Sequence, residues 1–231
     1  MQQLFCTINI FLNGTTLRLY VHSRIHCSPR TWDATATEIA SADIFINKSN
    51  DAKLYGIWRS QIGLPRDTIT IISLWPSAEA IDETLNQVFR SINSIKNFET
   101  NIMVPTVRPQ SPIPPVTQGN YAFRWFETPK EYFDEFIHLC VEAWPNFEKN
   151  YDSEIIGLWK LCNKVNDNIK TLLLTRRPNL AMWERSKIPL TDEEKEVRRK
   201  LSKRYDLCSW TNVYTTTLLT ANDVSDTVRW S

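Results

Sequence analysis

The chain has 231 residues, enough for one large domain or two of about 100 residues each. It is 42% hydrophobic and 23% charged, a soluble globular composition, and 27 basic against 26 acidic side chains leave a formal charge of +1. That balance removes the electrostatic basis for nucleic acid or an anionic membrane as partner, and no apolar stretch approaches the roughly 20 residues of a membrane-spanning helix.

The first segment, "LFCTINIFLN" (4–13), is short, alternating and without a preceding basic region, so it predicts an extra edge strand and not a signal peptide. "TLRLYVHS" (16–23) predicts the first regular strand, followed by a helix over 31–46. "KLYGIWRSQIG" and "DTITIISLW" are β-rich runs around "LPRD", which predicts a hairpin. "SAEAIDETLNQVFRSI" then predicts a helix capped by Ser77, and "FETNIMV" a closing strand.

"VPTVRPQSPIPPVTQGN" (104–120) holds five of the chain's twelve prolines. Proline fixes φ and removes a backbone donor, so the segment reads as an extended surface linker. It divides the chain into 1–103 and 121–231.

The second half follows the same plan. "YAFRWF" predicts a strand, and Thr128 with Glu131 has the spacing of a capping box. Phe133, Phe136, Ile137, Cys140, Val141 and Trp144 then recur at helical spacing. "EIIGLWKLC" and "IKTLLLTRR" predict two strands around the turn "NDN", and Thr191 with Glu194 marks a second capping box. "WTNVYTTTLL" (210–219) is the last predicted strand.

Each half therefore reads β-α-β-β-α-β, a ferredoxin-like unit. "YGIW" and "IGLW" stand at the same place in each, with Gly56 and Gly157 about 101 residues apart, while Pro76 and Pro178 are about 102 apart. The fold class expected is α+β, two tandem βαββαβ repeats. Gly56 and Gly157 are expected to let a helix or a neighbouring strand approach closely, with Trp58 and Trp159 on the same strand face as their glycines and filling the space beside them.

"FRWFETPKEYFDEFIHLCVEAWPNFEKNYDSEIIGLWK" (123–160) and "LLLTRRPNLAMWERSK" (172–187) resemble the NIPSNAP family of the dimeric α+β barrel superfamily. "LRLY", "LYGIWRSQIG" and "TITIISLWPS" show the pattern more weakly in the first half, so the likeness spans most of 17–220. It implies two four-stranded antiparallel sheets closing into a barrel, helices outside and a cavity between the sheets. Relatives usually assemble this from two chains; here the tandem copies are expected to do so within one.

Strand alternation puts Ile69, Ile71, Ser73 and Trp75 on one face, matched by Thr171, Leu173, Thr175 and Arg177. Apolar walls with a few polar anchors are the composition of a small-molecule pocket, so this face is expected to line the cavity. Arg177 or Arg124 would fix a carboxylate or stabilise an enolate-like charge, and Trp75 would stack on a flat ring. The expected ligand-binding residues are Arg124, Trp75, Ser73, Thr175, Arg177, Trp58 and Trp159, for a small aromatic or apolar molecule. The chain shows no nucleophile motif, Gly-rich phosphate loop or metal site, so binding, or transformation without a cofactor, is expected.

Two other readings stay open: a non-catalytic interaction module with a filled barrel, and a haem enzyme of the same superfamily using His22, His26 or His138. His22 and His26 are expected at the surface or in a loop, and His138 partly buried. The charge run "DEEKEVRRKLSKR" is expected to be a solvated helix face. The five cysteines, odd in number and scattered, predict free thiols in the cytoplasm, in a monomer or homodimer.

Overall fold

The structure, a computed structural model, describes residues 19–47, 52–79, 81–162 and 167–223. The edge strand expected at 4–13 lies outside them, as do Cys6 and most of the second hairpin turn.

Eight strands close into one antiparallel barrel in the order β1-β3-β2-β8-β5-β7-β6-β4. The first half supplies β1 (Leu19–Cys27), β2 (Lys53–Ile62), β3 (Thr68–Trp75) and β4 (Ile95–Arg108), with helices α1 (Trp32–Ala40), α2 (Asp43–Ile46) and α3 (Ile81–Ser91). The second supplies β5 (Asn120–Pro129), β6 (Glu154–Leu161), β7 (Asn168–Arg177) and β8 (Trp210–Leu218), with α4 (Phe133–Asn150), α5 (Leu180–Arg185) and α6 (Asp192–Asp206). Within each half the first strand pairs with the third and fourth, and the halves join where β2 meets β8 and β4 meets β6.

All eight residues of β3 are buried, although neighbours alternate in direction. Both faces are covered: Ile72 and Leu74 enter the barrel interior, while Ile69, Ile71 and Trp75 pack with Ile39, Ile81, Leu85 and Phe89 of α1 and α3. The second half repeats this. Leu172 and Leu174 face the interior, and Leu173 packs with Phe136, Trp144 and Phe147 of α4 and with Leu201 of α6. The described residues thus form three apolar cores, one inside the barrel and one under each helical layer.

In both Gly-x-Trp pairs the tryptophan fills the space beside its glycine as expected, but it is that ring, and not a helix or a neighbouring strand, that approaches the glycine most closely. In β2 and β6 the ladder slips just before the glycine, between Leu54 and Gly56 and between Ile155 and Gly157. Each tryptophan folds back across its glycine: a Cβ on Gly56 would lie 2.5 Å from the Trp58 ring, and one on Gly157 2.4 Å from Trp159. Both rings are fully buried inside the barrel. The glycines therefore make room for the rings that fill it.

Several local readings need correction. The helix expected over 31–46 is two, because Ala42 is extended between α1 and α2. Helix α3 begins at Ile81, four residues beyond the expected cap Ser77. Thr128 caps nothing. The β5 strand runs on to Pro129, a single 3-10 turn follows, and the Thr128 hydroxyl lies 3.6 Å from the Cys208 sulfur. Thr191 does cap α6, accepting from the Glu194 amide at 3.1 Å. On α4 the buried stripe includes Leu139, Ala143 and Phe147, whereas Val141 is exposed.

The linker expected from residue 104 starts later, because β4 continues to Arg108. Pro105 pairs with Trp159, and the ladder slips between Pro105 and Arg108. A bulge is where a sheet tolerates a missing donor. Arg108 then fixes the strand end by a bidentate pair with Glu148 of α4, at 2.7 and 3.2 Å.

Candidate functional site

The barrel interior is packed with aromatic rings. Tyr20 lies 5.4 Å from both Tyr55 and Trp159, Trp58 lies 5.3 Å from Phe123, and Phe123 stacks on Tyr214 at 5.2 Å. The face expected to line that interior points the other way. Ser73, Trp75, Thr175, Arg177 and Arg124 all lie outside the barrel wall, under the helices. Alternation along a strand separates two faces but does not say which is inside, and here both carry large apolar side chains.

The expected residues divide into three groups. Trp58 and Trp159 are in the barrel. Trp75 and Ser73 are under α3, where the indole Nε1 donates to the Ser73 hydroxyl at 2.9 Å. Arg124, Thr175 and Arg177 come together under α4, α5 and α6, at a cavity of about 40 Å³. At 10–15 Å³ for a water-sized group, that is room for about three such groups.

Five cations line this cavity: Arg124 from β5, Arg177 from β7, Lys187 from the turn after α5, and Arg198 and Arg204 from α6. Its apolar walls include Trp144, Phe147, Trp183 and Tyr205. Among the described residues none of the five forms an ion pair. The carboxylates nearby are engaged elsewhere: Glu142 holds Lys200 at 3.3 Å, Glu135 holds Lys203 at 2.6 Å, and Glu194 holds Arg185 at 2.6 Å. The first two pairs tie α4 to α6 and the third ties α5 to α6, and together they leave the cavity-lining cations unneutralised.

Neutral groups and rings only partly compensate. Arg177 donates to Thr175 Oγ1 at 3.1 Å and lies over the Phe147 ring at 5.2 Å. Arg204 lies over Phe126 at 4.7 Å and Tyr205 at 5.0 Å, with Nη1 3.6 Å from the Cys140 sulfur. The Nε atoms of both arginines are buried without a partner, in side chains only 5% and 3% exposed. A buried unpaired donor is costly, and more so on a charged group. Burial and the neighbouring Arg124 push the Arg177 pKa down to about 10, so it stays cationic at neutral pH. Burial also lowers the Arg124 pKa, with Arg204 and Arg198 repelling its charge. The arrangement is a cradle for an oxyanion.

Among the described residues the first half has no counterpart. There Arg59 lies over the Trp32 ring at 4.0 Å, in a hollow that also holds Asp33. Arg198, Arg204 and Lys187 do not figure among the expected site residues, because the charge run was assigned to a solvated face. The signal lies in helical spacing: Arg198 and Arg204 share a face with the buried Val197 and Leu201. Only Lys195, Arg199, Lys200 and Lys203 are the outer, carboxylate-paired cations.

No protein-family model matches the sequence, and no curated protein sequence matches it. Solved structures do match in shape. An anthrone oxidase-like protein superposes with a TM-score of 0.59 at 9% identity, covering 89% of this chain and 92% of its own. A candidate monooxygenase from Lactobacillus acidophilus NCFM gives 0.56 at 10% identity, over 89% and 97%. Chlorite dismutase from Candidatus Nitrospira defluvii, in complex with imidazole, gives 0.55 at 10% identity, over 88% and 92%. The chain shares the α+β barrel fold with these structures.

In this α+β barrel the histidines do not suit haem. His22, expected at the surface or in a loop, is fully buried on β1, pointing into the barrel with Nε2 3.0 Å from the Tyr214 hydroxyl. His26, on the same strand, has Nδ1 3.1 Å from Thr68 Oγ1. His138, expected to be partly buried, is exposed on α4 and pairs with Glu142 at 3.1 Å. None lines the cation cavity, whose 40 Å³ is far too small for a macrocycle.

Proposed function

We propose that this α+β barrel is a NIPSNAP-like binding protein that holds a small molecule by its carboxylate or phosphate at the cation cradle of the second half. The observation that carries this reading is five cavity-lining cations with no carboxylate among the described residues, two of them with buried, unpartnered Nε donors. The anchors Arg124, Thr175 and Arg177 expected from sequence belong to this site. The aromatic walls suit a small apolar remainder next to the oxyanion. The packed interior supports the view that the barrel itself is a filled scaffold.

The site sits in a duplicated frame. Two tandem ferredoxin-like units, joined near residues 109–119, are supported by the identical strand order of the halves and by the repeated bulge, glycine and folded-back tryptophan. A further support is the repeated pair on the outer face, Trp75 donating to Ser73 and Arg177 to Thr175, each two residues apart. One copy carries indole where the other carries guanidinium.

A thermal and chemical denaturation series in inorganic phosphate, against sodium chloride at equal ionic strength, tests the reading. An anion that binds only the folded state adds about 2.7 kcal/mol at one hundred times its dissociation constant. Wild-type protein is expected to gain stability in phosphate well beyond the chloride control. Arg177→Met removes a buried, repelled charge and is expected to be more stable than wild type by about 1 kcal/mol without phosphate, while losing most of the phosphate response. A variant less stable in both buffers, with wild type indifferent to phosphate, would overturn the reading.

A further inference from the structure

Lys187 differs from the other four cations of the cradle. It follows the short helix α5, where the turn is held by the Lys187 amide donating to the Glu184 carbonyl at 2.9 Å and the Ser186 hydroxyl donating to the Trp183 carbonyl at 2.7 Å. Its ammonium lies 5.5 Å from the Trp183 ring centroid. The residue is exposed, so a molecule arriving from solvent reaches it, yet it also lines the cavity. The lysines of α6, Lys195, Lys200 and Lys203, each hold a carboxylate, whereas Lys187 beside them forms no ion pair among the described residues.

We propose that Lys187 is a covalent attachment point, its amine condensing with the keto or aldehyde carbon of a 2-oxo acid whose carboxylate rests on Arg177, Arg204 and Arg124. The proposal rests on the anion reading of the same cavity. Its chemistry follows from the local field. Desolvation, with repulsion from Arg124, Arg198, Arg177 and Arg204, brings the Lys187 pKa down to about 7, so much of the amine is unprotonated at neutral pH. A lysine beside other cations is a recognised way to keep an amine nucleophilic. The substrate class follows from size. A space for about three water-sized groups admits an oxyanion and little more, so the reacting carbonyl must lie next to that oxyanion, as in a 2-oxo acid.

The step balances without an oxidant or reductant. The Nζ lone pair forms the new bond to the carbonyl carbon, the C=O π pair moves to oxygen, and a proton passes from nitrogen to that oxygen. Protonated by water, the oxygen leaves as a water molecule when the nitrogen lone pair forms the C=N π bond, and the remaining N–H proton then returns to solvent. The product is an imine at Lys187, reversible by hydrolysis. Its formation moves no charge out of the cradle, and the carboxylate stays on the guanidiniums.

The test is reductive trapping of the full chain with pyruvate and cyanoborohydride near pH 7, followed by peptide mapping. Acetaldehyde serves as the carbonyl without a carboxylate. Lys187 is expected to be labelled by pyruvate about tenfold or more faster than the surface lysines, with its rate half-maximal near pH 7. Lys187→Arg abolishes that label, and Arg177→Met slows pyruvate labelling far more than acetaldehyde labelling of Lys187, which falls only as far as loss of the Arg177 charge lets the Lys187 amine protonate. If pyruvate labels Lys187 no faster than other lysines while phosphate still stabilises the protein, the attachment point is overturned and the anion site stands. If phosphate also fails to stabilise, both fall. A Lys187→Gln variant that keeps wild-type stability and still gains a pyruvate adduct in this peptide would equally overturn it.

Discussion

Gly157→Ala is expected to destabilise the protein by about 3 kcal/mol or more, an unusually large effect for one methyl group. The added Cβ would lie 2.4 and 2.5 Å from two carbons of the Trp159 ring and 2.9 Å from Pro109 Cδ. Neither neighbour can give way easily. Trp159 is fully buried in the barrel, against Tyr20 at 5.4 Å and Tyr55 at 6.3 Å. Overpacking a filled interior typically costs about 1–3 kcal/mol, and more where neither side can move. Trp159→Ala alone should cost about 3–5 kcal/mol through the cavity it leaves. The double variant should cost clearly less than the sum, because the new methyl then occupies space the ring has vacated. Urea denaturation of the two single variants and the double variant measures this, and strict additivity would show that ring and glycine are not in contact.

Acid is expected to destabilise the fold through His22. Burial, with Arg24 adding repulsion, lowers its pKa to about 3, against 6.5 in the unfolded chain. The folded form thus refuses a proton that the unfolded form accepts. Stability from this group is complete above about pH 6.5 and is lost as pH falls towards 3, to a total on the order of 4 kcal/mol. His22→Gln retains a polar group near the Tyr214 hydroxyl and does not titrate. Its stability profile should lack this part of the decline, so that wild type and variant diverge between pH 6.5 and 3. Parallel profiles would mean that His22 is reached by water and titrates normally. At higher pH the direction is the same for Lys187: its folded pKa near 7 lies below the unfolded 10.5, so stability should rise between those values and stay flatter in Lys187→Met.

Much of this architecture can be read from sequence, because it rests on features that repeat. Gly56 and Gly157 sit at one period, and the β-rich runs that follow them are of similar length. Three kinds of feature resist that reading. Caps depend on where the preceding strand stops, and β5 runs through Thr128 before any helix can begin. Both faces are buried along all of β3 and along residues 171–175 of β7, so composition cannot tell barrel interior from helix-covered exterior there. His22 illustrates the third. It lies in a run that reads as a strand ending in a loop, and only closure of the barrel brings Tyr214, 192 residues away, to its Nε2.

The cradle is half legible for a related reason. Arg124, Thr175 and Arg177 stand out because guanidinium and hydroxyl groups interrupt apolar strands. Arg198 and Arg204 are hidden in a run of charges, where partners alone separate the outer cations from the inner ones. Lys200 and Lys203 find Glu142 and Glu135 on α4, while Arg198 and Arg204 turn to the sheet. That sorting needs the packing of α6 on α4, which no local pattern encodes.

The most direct test of the cradle is an anomalous difference map from a crystal of the protein soaked in selenate. The account predicts a selenium peak between the guanidiniums of Arg177 and Arg204, with Arg124 alongside, and no such peak in Arg177→Met. Selenate bound elsewhere on the surface, with this cavity holding only water or a carboxylate of the chain itself, would contradict it.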